Sequence, residues 1–212
     1  MPKQNINPSP AKKNIPEWFS KASRFWFPEL KNSLSFKACP ALIDVFLTGY
    51  FLKTPCDIKF DNGNLIIDEY YKDFCDYRPD MLGFPKPFGF ERSFHWYPNW
   101  MPGLEEGYSA IYLHPINRFD LPFFTISGII DNDKMNTPGL MPFFLKNNFS
   151  GIVPQGTPFV QIIPFKREDW VSEEVMYSIN DIIERHQEQS NKFRVPEGGA
   201  YKKTVWAKKK YD

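Results

Sequence analysis

Hydrophobic and polar positions change their period along this chain, and the change divides it. Between Leu121 and Arg167 the sequence reads LPFFTISGIIDNDKMNTPGLMPFFLKNNFSGIVPQGTPFVQIIPFKR, in which short apolar runs are separated by Gly, Pro, Asn and Asp. Runs rich in β-branched and aromatic residues between such breakers predict successive strands joined by tight connections. Upstream, Cys56-Asp57-Ile58-Lys59-Phe60 alternates inside and outside, Asp61-Asn62-Gly63-Asn64 tolerates positive φ, and Leu65-Ile66-Ile67-Asp68 returns. This predicts a hairpin. Phe94-His95-Trp96-Tyr97 reads as a strand fragment, and Gly107 to Leu113 as a strand ending at His114-Pro115. Past Arg167 the period lengthens. Val171, Val175, Ile179, Ile182, Ile183 and His186 recur at three- and four-residue steps, which predicts one amphipathic helix over 168–191, capped by Asp169 or Ser172. A shorter helix is expected from Pro40 to Leu47, since proline loses no bond at a first helical position and Gly49 ends the run.

These elements imply a mainly β domain over 17–167. Residues 1–16 are polar and proline-punctuated and are expected to form a disordered tail, because they cannot bury enough to offset their own ordering. Glu17 to Pro28, EWFSKASRFWFP, is expected to be a short helix or an aromatic strap docked on the domain or on a neighbouring subunit. The Pro- and aromatic-rich stretch 70–102 is too long for a structureless loop and reads as an ordered excursion or a functional lid. Residues 192–212 form a basic tail.

Composition sharpens the fold and limits the partners. With 21 Phe and 20 Pro in 212 residues, a loop-rich β protein is favoured over a helix bundle, and 42% hydrophobic content suffices for a core. The balance of 26 basic and 25 acidic residues gives a net charge of +1, so the whole molecule has no general attraction to nucleic acid or to an anionic membrane. Local attraction remains open: Lys202, Lys203, Lys208, Lys209 and Lys210, interleaved with Tyr201, Trp206 and Tyr211, would grip phosphates weakly and stack on bases, or would form a solvated or subunit-clasping tail. Cys39, Cys56 and Cys75 are odd in number and lack a C-x-x-C pair, which points to reduced thiols acting as small hydrophobes. Neither a signal-type apolar segment nor a run of about 18 apolar residues occurs. A soluble cytoplasmic protein is expected, in the host cytoplasm or the virion if the chain is viral.

Two groups of residues carry candidate chemistry. Asp131 and Asp133, just past an apolar run, would serve as a base and a Mg²⁺-organising pair in phosphate ester hydrolysis, or as turn residues bonding their own backbone. His95 and His114 with Asp120 would form a facial triad for Zn²⁺ or Fe²⁺, or be hydrogen-bonded structural residues. No H-E-x-x-H, G-x-S-x-G, Walker or dinucleotide motif is present.

Gly128-Ile129-Ile130-Asp131-Asn132-Asp133, followed by Gly151-Ile152-Val153-Pro154-Gln155-Gly156-Thr157-Pro158-Phe159-Val160-Gln161-Ile162, resembles the third and fourth motifs of trimeric dUTPases and the related dCTP deaminases. More broadly, Lys37 to Arg167 looks like an uncharacterised family of phage and bacterial proteins known as a domain of unknown function. Ala38-Cys39-Pro40, Gly49-Tyr50, Gly107-Tyr108 and Gly128 to Asp133 carry that second likeness. The first resemblance implies a distorted β barrel of the β-clip type, assembled as a homotrimer. It places Asp131 where the family keeps the aspartate that contacts deoxyribose and orients the attacking water, Asp133 at the motif's second aspartate, and Gln161 at the glutamine that helps position phosphate. Lys134 replaces the tyrosine that packs on the sugar, and Asn136-Thr137-Pro138 replaces the small residue near the base. The serine-rich phosphate turn is missing. His114, Asn117 and Arg118 form the nearest basic element and are the candidate ligand-binding residues, while Gly198 to Tyr201 resembles the fifth motif only faintly. The leading expectation is thus a non-catalytic oligomeric β-clip protein, a phage-type binding or assembly module without a cofactor. The alternatives are a Mg²⁺-dependent nucleotide hydrolase using Asp131 and a cupin-like metalloenzyme.

Overall fold

A computed structural model describes residues 6–31, 33–66, 73–79, 83–135, 137, 139–193, 205–207 and 209 of the protein. Parts of the predicted elements lie outside these residues: the hairpin's Ile67 and Asp68, residues 70–72 and 80–82 of the excursion, Asn136 and Pro138, Gly198 to Tyr201, and most of the basic tail. Twelve strands are described: β1 (Ser9–Pro10), β2 (Tyr50–Lys53), β3 (Ile58–Asp61), β4 (Asn64–Leu65), β5 (Cys75–Tyr77), β6 (Phe90–Trp96), β7 (Tyr108–Leu113), β8 (Phe123–Thr125), β9 (Gly128–Ile130), β10 (Met141–Lys146), β11 (Gly151–Val153) and β12 (Pro158–Lys166). They form three antiparallel sheets, ordered β1-β2-β12-β7-β9, β5-β6-β10-β8 and β11-β3-β4. The mainly β expectation holds. The barrel does not, for among the described residues no sheet closes on itself.

By contacts the chain divides into two units, residues up to Asn14 with Thr48–Arg167, and Ile15–Leu47 with Glu168 onward. The first holds the sheets. Its core is aromatic: Trp96 stacks on Phe143 with centroids 3.8 Å apart and meets the edge of Phe123 at 5.2 Å. Edge-on ring pairs such as Trp96 with Phe123 add about 0.5–1.5 kcal/mol beyond the area they bury. Pro158 to Ile162 are all buried, as befits a strand covered on both faces, and alternation appears only from Ile163 onward. The hairpin forms as expected: Asn62 and Gly63 have φ of 46° and 73° between β3 and β4, the pair of left-handed residues that matches strand twist in a two-residue turn. Gly49 is sterically obligatory. Its φ is 76°, and a Cβ there would lie 2.1 Å from the Ile162 carbonyl oxygen. Within the stretch read as a tail, Ser9–Pro10 pairs with β2 and Ala11 is fully buried. The described part of the 70–102 excursion contributes the strands β5 and β6, with turns and irregular chain around them.

The second unit contains α1 (Glu17–Lys21), α2 (Pro40–Leu47) and α3 (Ile179–Phe193). The aromatic strap groups here, with Phe19 packed on Phe46 at 4.5 Å between centroids and Trp18 on the same ring at 5.8 Å. The C-terminal helix is shorter than its period suggested. Residues 168–178 are not helical, and α3 begins after a reciprocal cap in which the Asp181 N–H donates to Ser178 Oγ while the Ser178 N–H and hydroxyl donate to the Asp181 carboxylate. That cap satisfies orphan donors where neither Asp169 nor Ser172 does. All three cysteines are free, with Cys56 and Cys75 buried and Cys39 exposed. Among the described residues no helix is long and apolar enough to cross a membrane.

Candidate functional site

Strand register assembles a polar corner at one end of the five-stranded sheet. Ala110 on β7 pairs with Ile130 on β9, so one step further Ser109 lies beside Asp131. On the other side of β7, Lys166 of β12 pairs with Tyr108, and the Arg167 N–H then donates to the Gly107 carbonyl at 2.8 Å. Three strand ends thus bring two acids, one guanidinium and one hydroxyl together from positions up to 58 residues apart.

The acids are held by partners outside their own turn. Arg167 Nη1 donates to Asp133 Oδ1 at 2.9 Å, Nη2 pairs with Oδ2, and the Gly107 N–H donates to Oδ2 at 2.9 Å. The Asp133 side chain is only 3% exposed. Its carboxyl is held down at about 2, chiefly by the hydrogen bonds from Arg167 and with help from the Gly107 N–H, against the cost of desolvation. Asp131 is more open, at 54%; its Oδ1 accepts from Ser109 Oγ at 2.5 Å and lies 3.4 Å from Arg167 Nη1. The expected alternative, side chains bonding their own backbone, is not the arrangement found. The turn is closed by main-chain bonds instead, with the Lys134 and Met135 N–H groups donating to the Asp131 carbonyl at 2.9 and 2.8 Å. Between the acids, Asn132 is buried, with Oδ1 accepting from Tyr112 Oη at 3.1 Å and Nδ2 unpaired among the described residues.

Gln161 lies elsewhere. It pairs with Leu113, whereas Phe165 pairs with Ser109. The amide is therefore four residues along β12 from the acidic corner, about 13 Å at 3.3 Å per residue. It is fully buried and bonded at both ends: Nε2 donates to the Thr48 carbonyl at 2.7 Å and Oε1 accepts the Ile116 N–H at 2.9 Å. These bonds tie the β7–β8 connection to the end of the chain entering β2. The structure brings Asp131 and Asp133 together but not Gln161 with them.

The basic element is also internally satisfied. Arg118 grips Asp120 with two parallel bonds of 2.8 and 2.9 Å, which lower the Asp120 carboxyl below its usual range. Asn117 has φ of 60°, a turn residue. His114 is buried and stacks on Phe124 at 4.8 Å. Its Nδ1 accepts the Thr125 N–H at 3.3 Å, which leaves Nε2 to carry the proton and donate to the Arg118 carbonyl at 3.1 Å. Burial pushes its pKa down, so the ring is neutral near pH 7.

A Mg²⁺ ion does not fit this donor set. Both Asp133 oxygens and one Asp131 oxygen already accept from protein donors, and the nearby charge is a guanidinium rather than further oxygens. Among the described residues no group of three His, Cys, Asp or Glu is placed to hold a metal, so His95, His114 and Asp120 do not form a triad. In the basic tail, Trp206 Nε1 donates to Asp44 Oδ2 of α2 at 2.9 Å and Lys209 pairs with the same oxygen. Arg167, Ser109 and Gly107 are the corner residues that pattern reading missed. Only a correct strand order, β9-β7-β12, would have pointed to them. Set against known proteins, the chain matches no family profile, no curated protein and no solved structure.

Proposed function

We propose that the protein is a non-catalytic, homo-oligomeric binding or assembly module. The observation that carries this reading is the state of the two acids: Asp133 is saturated by Arg167 and the Gly107 N–H, and Asp131 is engaged by Ser109. Among the described residues Asp131 keeps one oxygen free, but a base that orients water also needs a phosphate-binding group in reach of the same substrate, and the adjacent Arg167 guanidinium is committed to Asp133. Gln161 and Arg118 are committed to other contacts, so neither supplies that group here. Support for self-association comes from the second unit, where Trp170 and Val171 are 94% and 95% exposed and Met176 and Ile179 are also open to solvent. A trimer of phage type, acting in the cytoplasm or in a virion, is the assembly proposed from the β-clip resemblance.

Sedimentation equilibrium on the full chain tests the assembly, with a Trp170→Ser, Met176→Ser variant expected to shift the mass toward monomer. A monomeric wild type at tens of micromolar would remove the proposal. Turnover of a nucleoside triphosphate with Mg²⁺, lost in Asp131→Asn, would replace it with the hydrolase reading.

A further inference from the structure

Away from the acidic corner, three loops meet at one end of the four-stranded sheet β5-β6-β10-β8. They line a half-open cleft of about 430 Å³ whose walls include Phe88, Phe90, Phe119, Asp120, Lys146 and Phe149. The walls are pinned by backbone bonds. Asn147 donates to the Gly89 carbonyl at 2.9 Å, Lys146 to the Pro122 carbonyl at 2.9 Å, and the β10 ladder shifts register between Leu145 and Lys146 as it reaches the cleft. A volume in the range of small-ligand sites, built from apolar walls with few polar groups, is the usual form of a pocket made before its ligand arrives.

The rim is costly to leave bare. Phe88 is 104% exposed and Phe119 85%, so two whole phenyl rings face water at the mouth of one cleft. The charges select what would cover them. Asp120 is neutralised by its two bonds to Arg118, whereas the Lys146 ammonium has no partner among the described residues. A lone cation beside four phenylalanines suits an anion attached to a flat apolar body. Size argues against a protein partner: a stable interface needs about 800 Å² per side, and two phenylalanines supply about 150–250 Å² each.

We propose that this cleft binds a small aromatic carboxylate, with one or two fused rings lying against Phe88 and Phe119 and the carboxylate paired with Lys146. The proposal goes beyond the assembly reading and does not depend on it, since every group named lies in one chain.

The probe is 1-naphthoate, titrated into the full chain by calorimetry and followed by amide NMR. One saturable site per chain is expected. Phe88→Ala and Phe119→Ala should each weaken it by about ten-fold, the loss of one ring contact. Lys146→Met should weaken 1-naphthoate by about ten-fold but leave neutral 1-naphthylmethanol unchanged, and Lys146→Arg should retain both. Because both phenylalanines are exposed, far-ultraviolet circular dichroism of the variants should match wild type. No saturable binding at millimolar probe, equal affinity in all variants, or equal loss of charged and neutral probes in Lys146→Met would each overturn the proposal. So would sedimentation in which the Phe88→Ala or Phe119→Ala change dissociates an oligomer, since the cleft would then be a contact between copies.

Discussion

At its buried end β12 carries Gln161, a neutral amide with no exposed surface and a partner at each end. At its open end the same strand runs into Arg167, a cation about one-third exposed that is shared between two carboxylates. Both ends fasten β12 to its neighbours through polar side chains, yet they differ in what failure would cost. At the buried end the amide itself is shielded from water, so its loss leaves two part-buried backbone groups without their best partner. At the corner, water reaches the guanidinium and Asp131, and solvent screens whatever is lost.

The largest effect should come from the buried end. Gln161→Met keeps volume but removes one bond each from the Ile116 N–H and the Thr48 carbonyl, two part-buried groups at about 1–3 kcal/mol each, so a loss of about 2–6 kcal/mol is expected in urea unfolding. An unchanged midpoint would break the contrast between the two ends.

The corner should respond less, and in a manner that depends on pH. Asp133→Asn and Arg167→Met are each expected to lower the midpoint, and the double variant should fall short of their sum because they remove one shared contact. The folded Asp133 carboxyl sits at about 2, below its unfolded value. Its contribution is therefore complete above the unfolded value, about 3.9, and disappears as the pH falls from about 4 toward 2. Wild type minus Asp133→Asn, measured across that window, should shrink to nothing. A difference that stays constant would mean the ion pair is not what holds the acid. The buried His114 works at a higher pH. With its folded pKa depressed, it contributes above its unfolded value of about 6.5 and loses that contribution as acid protonates the unfolded chain, so Asp133 must be isolated by difference.

Asp131→Asn should be the mildest change. The side chain is half exposed and its amide replacement still accepts from Ser109, so a shift within about 0.5 kcal/mol is expected. A cost as large as that of Gln161→Met would erase the distinction between the wet and dry ends.

Much of the local structure was legible from pattern. The Pro40 to Leu47 helix, the hairpin through Asn62 and Gly63, and the strands ending at Leu113 and containing Gln161 follow from capping, turn chemistry and alternation, which act over a few residues. The C-terminal helix shows where pattern overreaches. The apolar spacing continues back to Val171, but the helix starts at Ile179, where Ser178 and Asp181 cap each other. Spacing describes which face a helix would bury, whereas a terminus is set by the side chain that satisfies its open N–H groups.

The candidate site was legible only in half. Asp131 and Asp133 stood out as acids past a strand, but Gln161, which motif likeness attached to them, belongs to a staple further along β12. Arg167, Ser109 and Gly107 carry no signal of their own, because what makes them partners is the order β9-β7-β12 and its register. The sequence by itself determined a β-rich chain with tight turns, an aromatic core and near-neutral charge, since those depend on residue type and short-range spacing. Tertiary structure alone decided that no sheet closes on itself among the described residues, that the acids meet a guanidinium and that four phenylalanines line one cleft. Such pairings join residues tens of positions apart, and their free energy appears only when the strands are already side by side.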